Sequence, residues 1–128
     1  MSHVSILTMK RMELFENAAA QCKQLLDKHP DNQAIVSIIS QLDYLVAVES
    51  GKNPDRTRLK DIVIGILAAR EIEPLDMTLA EMLYSADVEA RRMEADRVMV
   101  LDAARKRQLK KLGKQGQGAW LGHARGKF

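Results

Sequence analysis

Aromatic residues make up only 4% of this sequence, and one cysteine and three prolines are all it holds of two other residue types. Each shortage excludes something. With one Trp, two Tyr and two Phe in 128 residues, the core has to be packed from Leu, Ile, Val, Ala and Met, which is the composition of packed helices. The single cysteine, Cys22, cannot close an internal disulfide, and its neighbours Ala20, Leu25 and Leu26 mark it as a buried structural thiol rather than a nucleophile. Long hydrophobic runs are missing too. The longest, residues 62–69 with Gly65 inside it, falls far short of the roughly 20 residues a bilayer span needs. Residues 1–9 lack the charged start and apolar stretch of a secretory signal. These absences predict a cytoplasmic protein with no membrane partner, and the length predicts one modest core.

Acid is missing from the C-terminal end. All 17 acidic residues lie at or before Asp102, whereas residues 105–128 carry eight Lys or Arg and no acid. The other 12 basic residues against 17 acidic ones leave residues 1–104 at −5, beneath an overall charge of +3. An acidic body therefore carries a basic end, which divides the chain into a helical domain over 1–104 and a basic helix end and tail over 105–128.

The apolar spacing is helical throughout, with no alternating strand pattern. A first helix over residues 8–29 turns Met12, Phe15, Ala18, Ala19, Cys22, Leu25 and Leu26 inward and ends at Pro30. Asp31 is placed to cap a second helix with Ile35, Ile38, Ile39, Leu42, Leu45, Val46 and Glu49 inward, broken by Gly51 and Pro54. Asp55 or Thr57 caps a third, in which Leu59, Ile62, Val63, Ile66 and Ala69 form a stripe that Ile64 and Leu67 widen nearly all round. That helix should be the buried centre of the bundle, with Gly65 permitting a close backbone approach. Thr78 and Glu81 read as a capping box for a fourth, with Leu79, Met82, Leu83, Ala86, Ala90, Met93, Val100 and Leu101 as its apolar positions. No Gly or Pro interrupts it before Gly113, the first of the five glycines, out of seven, that lie in the last 16 residues. The expected fold is all-α: a small bundle of three core helices plus a long fourth helix and a basic, glycine-containing tail.

Chemistry is scarce. His3, His29 and His123 are scattered, with no metal-ligand spacing among them, and there is neither a phosphate-binding glycine loop nor a nucleophile elbow. Glu71 and Glu73 stand two apart beside Pro74 and point in different directions, as solvated helix-end residues do. No catalytic residue, metal or cofactor is expected, and the protein is not read as an enzyme. The basic end, with Lys110, Lys111, Lys114, Trp120 and Arg125 as candidate contacts, supports a second reading: a small nucleic-acid-associated regulator. The acidic body would repel a phosphate chain everywhere else, so the second reading ranks below a protein contact.

Three ordered motifs carry a family resemblance. Gln41 to Leu45 fit Gln-Leu-x-Tyr-[Ile/Leu] at the end of the second helix. Residues 55–59 fit Asp-Arg-[Ser/Thr]-x-Leu. Gly65, Ala68, Arg70, Glu71, Ile72 and Glu73 fit Gly-x-x-Ala-x-[Lys/Arg]-Glu-[Phe/Ile]-[Asp/Glu], and Tyr84 follows. Over about residues 10–93 the chain resembles the small all-helical immunity proteins of type VI secretion, whose best-known member neutralises an NAD(P)-hydrolysing effector. The first nine residues and everything past Met93 exceed that family pattern. The resemblance implies an immunity protein that binds a cognate toxin encoded by the adjacent gene and occludes its active site. The toxin it implies consumes NAD, as an NAD(P) glycohydrolase or an ADP-ribosyltransferase does. A cleft that binds a pyrophosphate is positive, and the acidic body suits it. Candidate toxin contacts are Asp43, Tyr44, Glu49, Asp55, Glu71, Glu73 and Asp76; the alternative role for Tyr44 and Tyr84 is packing, and for Arg70 with Glu73 a local ion pair.

Overall fold

The structure, a computed structural model, describes residues 11–120, with side chains described for residues 11–112. The described residues are helical and contain no strand. Helix α1 is Arg11–Lys28, α2 is Gln33–Glu49, a 3-10 turn spans Thr57–Asp61, α3 is Ile64–Leu67 running on as a π-helical turn at Ala68–Ile72, and α4 is Met77–Trp120. The chain divides into two compact units, Met1–Glu94 and Ala95–Phe128.

In the first unit α1 and α2 pack against each other. Phe15, Ala18, Ala19, Cys22 and Leu25 of α1 meet Ile35, Ile38, Leu42, Leu45 and Val48 of α2 in one core, so the expected inward faces of both helices hold. Leu79, Ala80, Leu83, Ala86, Ala90 and Met93 of α4 join that core. Arg11 ties three helices at their rim: Nε lies 2.9 Å from Glu89 of α4 and Nη1 lies 3.6 Å from Glu49 of α2.

Two caps differ from expectation. Asn32, not Asp31, caps α2, its side chain accepting from the Ile35 N–H at 3.1 Å. Asp76, not Thr78, caps α4, its Oδ1 accepting from the Leu79 N–H at 3.0 Å. Thr78 already lies in the first turn, two residues past the capping position. Gly51, with φ 85°, closes α2 in the left-handed conformation glycine adopts without strain.

The larger correction concerns the third helix. It is not one continuous helix buried on most sides but a 3-10 turn followed, after residues 62–63 with Ile62 extended, by α3 running on into the π-helical turn. Leu59, Ile64, Ala68 and Ile72 supply the core. The stripe expected inward is largely turned out: Val63 is 41% and Ile66 54% exposed.

In the second unit the described side chains of residues 95–112 are exposed, with Arg97 half-buried. Val100 and Leu101, read as apolar packing positions, are 66% and 51% exposed; burial along α4 stops at Met93. Lys110 and Lys111 are exposed. The backbone of α4 continues past Gly113, where the tail is expected to begin, to Trp120. The side chains of Lys114 and Trp120, and all of Arg125, lie outside the described residues, as do His3, His123 and the expected first helical residues 8–10.

Candidate functional site

The segment between α2 and α4 is too irregular to be held by its own backbone ladder, and side chains from both neighbouring helices hold it. From α2, Tyr44 donates its hydroxyl to the Asp55 carbonyl at 2.8 Å and accepts the Arg58 N–H at 3.2 Å. The Arg58 guanidinium stands 5.8 Å from the centre of the same ring, within cation–π range. Burial, above all, pushes the Tyr44 hydroxyl pKa up, with the Asp55 charge adding to it and the Arg58 N–H working against it. One turn earlier, Gln41 accepts the Val63 N–H on Oε1 at 2.8 Å. An open cleft lies between these residues, lined by Ser40, Gln41, Tyr44, Arg58, Asp61 and Ile62.

From α4, Asp87 reaches across to α3. It is a charged residue only 7% exposed, and its two oxygens are both engaged: Oδ1 accepts the Gly65 N–H at 3.0 Å and Oδ2 accepts Arg91 Nε at 2.7 Å. Gly65 is needed for a different reason from the one expected. A Cβ there would stand 3.0 Å from Asp87 Cγ and 3.2 Å from Oδ2, so the close approach is by a carboxylate rather than by another backbone. The segment then tightens into the π-helical turn, where the Glu73 N–H donates to the Ala68 carbonyl five residues back at 2.9 Å. Such turns are rare and are frequent at functional sites.

The expected toxin contacts separate into groups. Tyr44 and Asp55 come together, the pair forming the hydroxyl–carbonyl tie above. Asp55 does not cap the third helix in the expected manner: its Oδ1 accepts the Thr57 N–H and hydroxyl at 3.0 and 2.6 Å, folding the turn that precedes the 3-10 turn. Glu49 is committed to Arg11. Asp43 is exposed on α2, 4.0 Å from Lys23. Glu71 and Glu73 are exposed at the end of the π-helical turn, and Asp76 is held as the α4 cap. Arg70 and Glu73 form no ion pair; the partner of Glu73 is Tyr84, which donates its hydroxyl to the carboxylate. That hydrogen bond is the main reason the Tyr84 pKa is pushed up to about 12, with burial second. Among the described residues no three His, Cys, Asp or Glu side chains gather where they could hold a metal ion, and no helix is long and apolar enough to cross a membrane.

Gln41 and Asp87 do most to position the segment, and neither was among the expected site residues. Asp87 had a visible signal: it is the one acid on the buried stripe of Leu79, Leu83, Ala86 and Ala90, and an acid at such a position needs a partner that removes its burial cost. Residues 71–90 hold six acids and no Lys or Arg; Asp87 and Glu89 among them are paired with Arg91, Arg11 and Arg92, which leaves Glu71, Glu73, Asp76 and Glu81 without an ion pair among the described residues.

No curated protein and no solved structure matches the chain. A protein-family model, Tsi6, matches residues 10–92, which takes in α1, α2, the tethered segment and the acidic first part of α4, and leaves residues 95–112 outside. With its three motifs mapped onto an all-helical domain in the expected order, the chain belongs to the Tsi6 family, a family of type VI secretion immunity proteins.

Proposed function

We propose that this protein binds one toxin domain, the product of the adjacent gene, and blocks it by covering its substrate cleft, with no chemistry of its own. The family match over residues 10–92 carries the proposal. The acidic body supports the finer reading that the toxin consumes NAD or NAD(P): a pyrophosphate-binding cleft is positive, and opposite charge both speeds encounter and fixes register. Inhibition of an enzyme that turns over many substrate molecules also demands slow dissociation, which an interface of about 1,200–2,000 Å² with a few buried anchors supplies. The site of action is the cytoplasm, where NAD is held.

Titration of the purified toxin domain tests the mechanism. Inhibition should reach completion at one equivalent, and protection by a small fraction of an equivalent would mean that the protein reverses damage enzymatically. Cells expressing the toxin alone should lose NAD(P) and be rescued by co-expression. If they die equally fast with the protein present, the immunity role fails; if they are rescued but NAD(P) never falls, only the toxin's chemistry is misassigned.

A further inference from the structure

We propose that the toxin docks on the outward edge of residues 63–77, an apolar strip with Ile66 as its anchor and Arg70 beside it, bordered by acids. The proposal rests on the immunity reading above and names the surface that carries it out. Its partner is an apolar depression with a rim of Lys and Arg, the rim a phosphate-handling cleft presents.

Four observations converge on this strip. Among the described residues of the first unit, six large aliphatic side chains stay exposed: Val36, Val63, Ile66, Leu75, Met77 and Val88. Four of the six fall within residues 63–77, while Val36 on α2 and Val88, 11 residues beyond Met77 on α4, lie outside that stretch. Second, the exposure is built in by the fold: Ile64, Ala68 and Ile72 occupy the core at successive turns, which forces Ile66 and Arg70 onto the opposite edge. A sequence that places Ile rather than a polar residue there keeps an apolar group in water at a cost that docking would recover.

Third, the edge is held before any partner arrives. Gln41 fixes Val63, Asp87 fixes Gly65, Tyr84 fixes Glu73 and Asp76 fixes the start of α4. Preorganisation of this kind lowers the ordering cost of binding. Arg70 is exposed and forms no ion pair among the described residues, and Arg is a residue type that interface hot spots favour. Fourth, charge selects the partner: Glu71 and Glu73 border the strip, and residues 63–85 carry four acids against the single base Arg70, so a basic rim is attracted and an acidic one repelled. The other surfaces fit less well. Around the Tyr44 cleft, the hydroxyl is already used by the Asp55 carbonyl and the Arg58 N–H, and the Arg58 guanidinium stands over the ring; the basic side chains of residues 105–111 carry the wrong sign for a basic cleft and lie outside the family match.

The test uses the full chain and a catalytically inactivated toxin domain from the adjacent gene, with affinity read by biolayer interferometry. Ile66→Glu and Arg70→Ala should each weaken binding by about 100-fold, mostly through faster dissociation, as central hot-spot residues do. Val36→Glu and Val88→Glu, which place the same charge on exposed aliphatic positions elsewhere, should stay within about 3-fold of wild type. Circular dichroism and thermal melts establish that each variant is folded; if Ile66→Glu is not, Ile66→Ser takes its place. Wild-type affinity in both strip variants, or a larger loss in Val36→Glu or Val88→Glu, overturns the surface while leaving the immunity reading intact. No binding by the wild-type protein overturns both.

Discussion

Replacing Gly65 by alanine should destabilise the protein even though alanine is the better helix former. Gly65 lies in α3 and its φ is not positive, so the backbone would accept alanine and helix propensity alone would favour it by about 1 kcal/mol. Against that stands Asp87. The new methyl would sit 3.0 Å from the Asp87 Cγ, closer than carbon atoms pack, and the carboxylate would have to withdraw. Withdrawal lengthens the 3.0 Å bond from the Gly65 N–H, and a hydrogen bond to a charged group contributes about 1.5–3 kcal/mol. Subtracting the propensity gain leaves a net loss of about 0.5–2 kcal/mol. Urea unfolding followed by circular dichroism measures it: for a slope of about 2 kcal/mol per M, the midpoint should fall by about 0.3–1 M. The Asp87→Ala background should reverse the sign, because without the carboxylate the added methyl meets only the Cβ of residue 87 at 3.4 Å, an ordinary contact, and alanine stabilises by about 1 kcal/mol. A Gly65→Ala protein as stable as wild type while Asp87 is present would refute the reasoning.

Two of the three perturbed side chains give further predictions. Cys22 is 0% exposed and its thiol is pushed up to about 12 by burial, with the Asp76 charge adding, so native protein at pH 8 should take up no iodoacetamide and unfolded protein one equivalent; native labelling at a free-thiol rate would contradict the packing. Tyr84, raised to about 12 from an unfolded value of about 10, holds its proton more tightly in the fold. Its contribution to stability is therefore intact below about pH 10 and is lost as the pH climbs toward 12. Absorbance at 295 nm should show Glu73→Gln moving this ionisation back toward pH 10, and an unmoved titration would remove Glu73 as the cause.

The parts of the fold that depend on period were legible. Phe15, Ala18, Cys22 and Leu25 on α1, and Ile35, Ile38, Leu42 and Leu45 on α2, recur at helical spacing with polar residues between them, so only one face could turn inward. Residues 59–72 offered no such choice. Apolar side chains at Leu59, Ile62, Val63, Ile64, Ile66 and Leu67 surround a helix drawn through them, and periodicity cannot say which stripe is buried or whether the helix is continuous. What decides is the pair of hydrogen bonds from Gln41 and Asp87, both 22 residues distant in sequence. Caps missed by one or two residues for a simpler reason: Asp31 and Asn32, or Asp76 and Thr78, are both good capping residues, and only the entry of the chain selects between them. Of the expected contacts, Glu49 and Asp76 turned out to be spoken for by Arg11 and by the Leu79 N–H, which composition could not reveal.

The broken third helix has a consequence for how such a protein changes over generations. An ordinary helix holds itself through its own ladder, so a residue poorly suited to helix weakens the whole element. Here residues 55–73 are pinned from outside at both ends by Tyr44 and Tyr84 and in the middle by Gln41 and Asp87, while Ile66, Ala69 and Arg70 are exposed and take part in none of these ties. The two sets of residues can then drift under separate selection. A lineage pursuing an altered toxin is free to rewrite the outward edge one substitution at a time, because the lettering that holds the segment in place is written on two other helices.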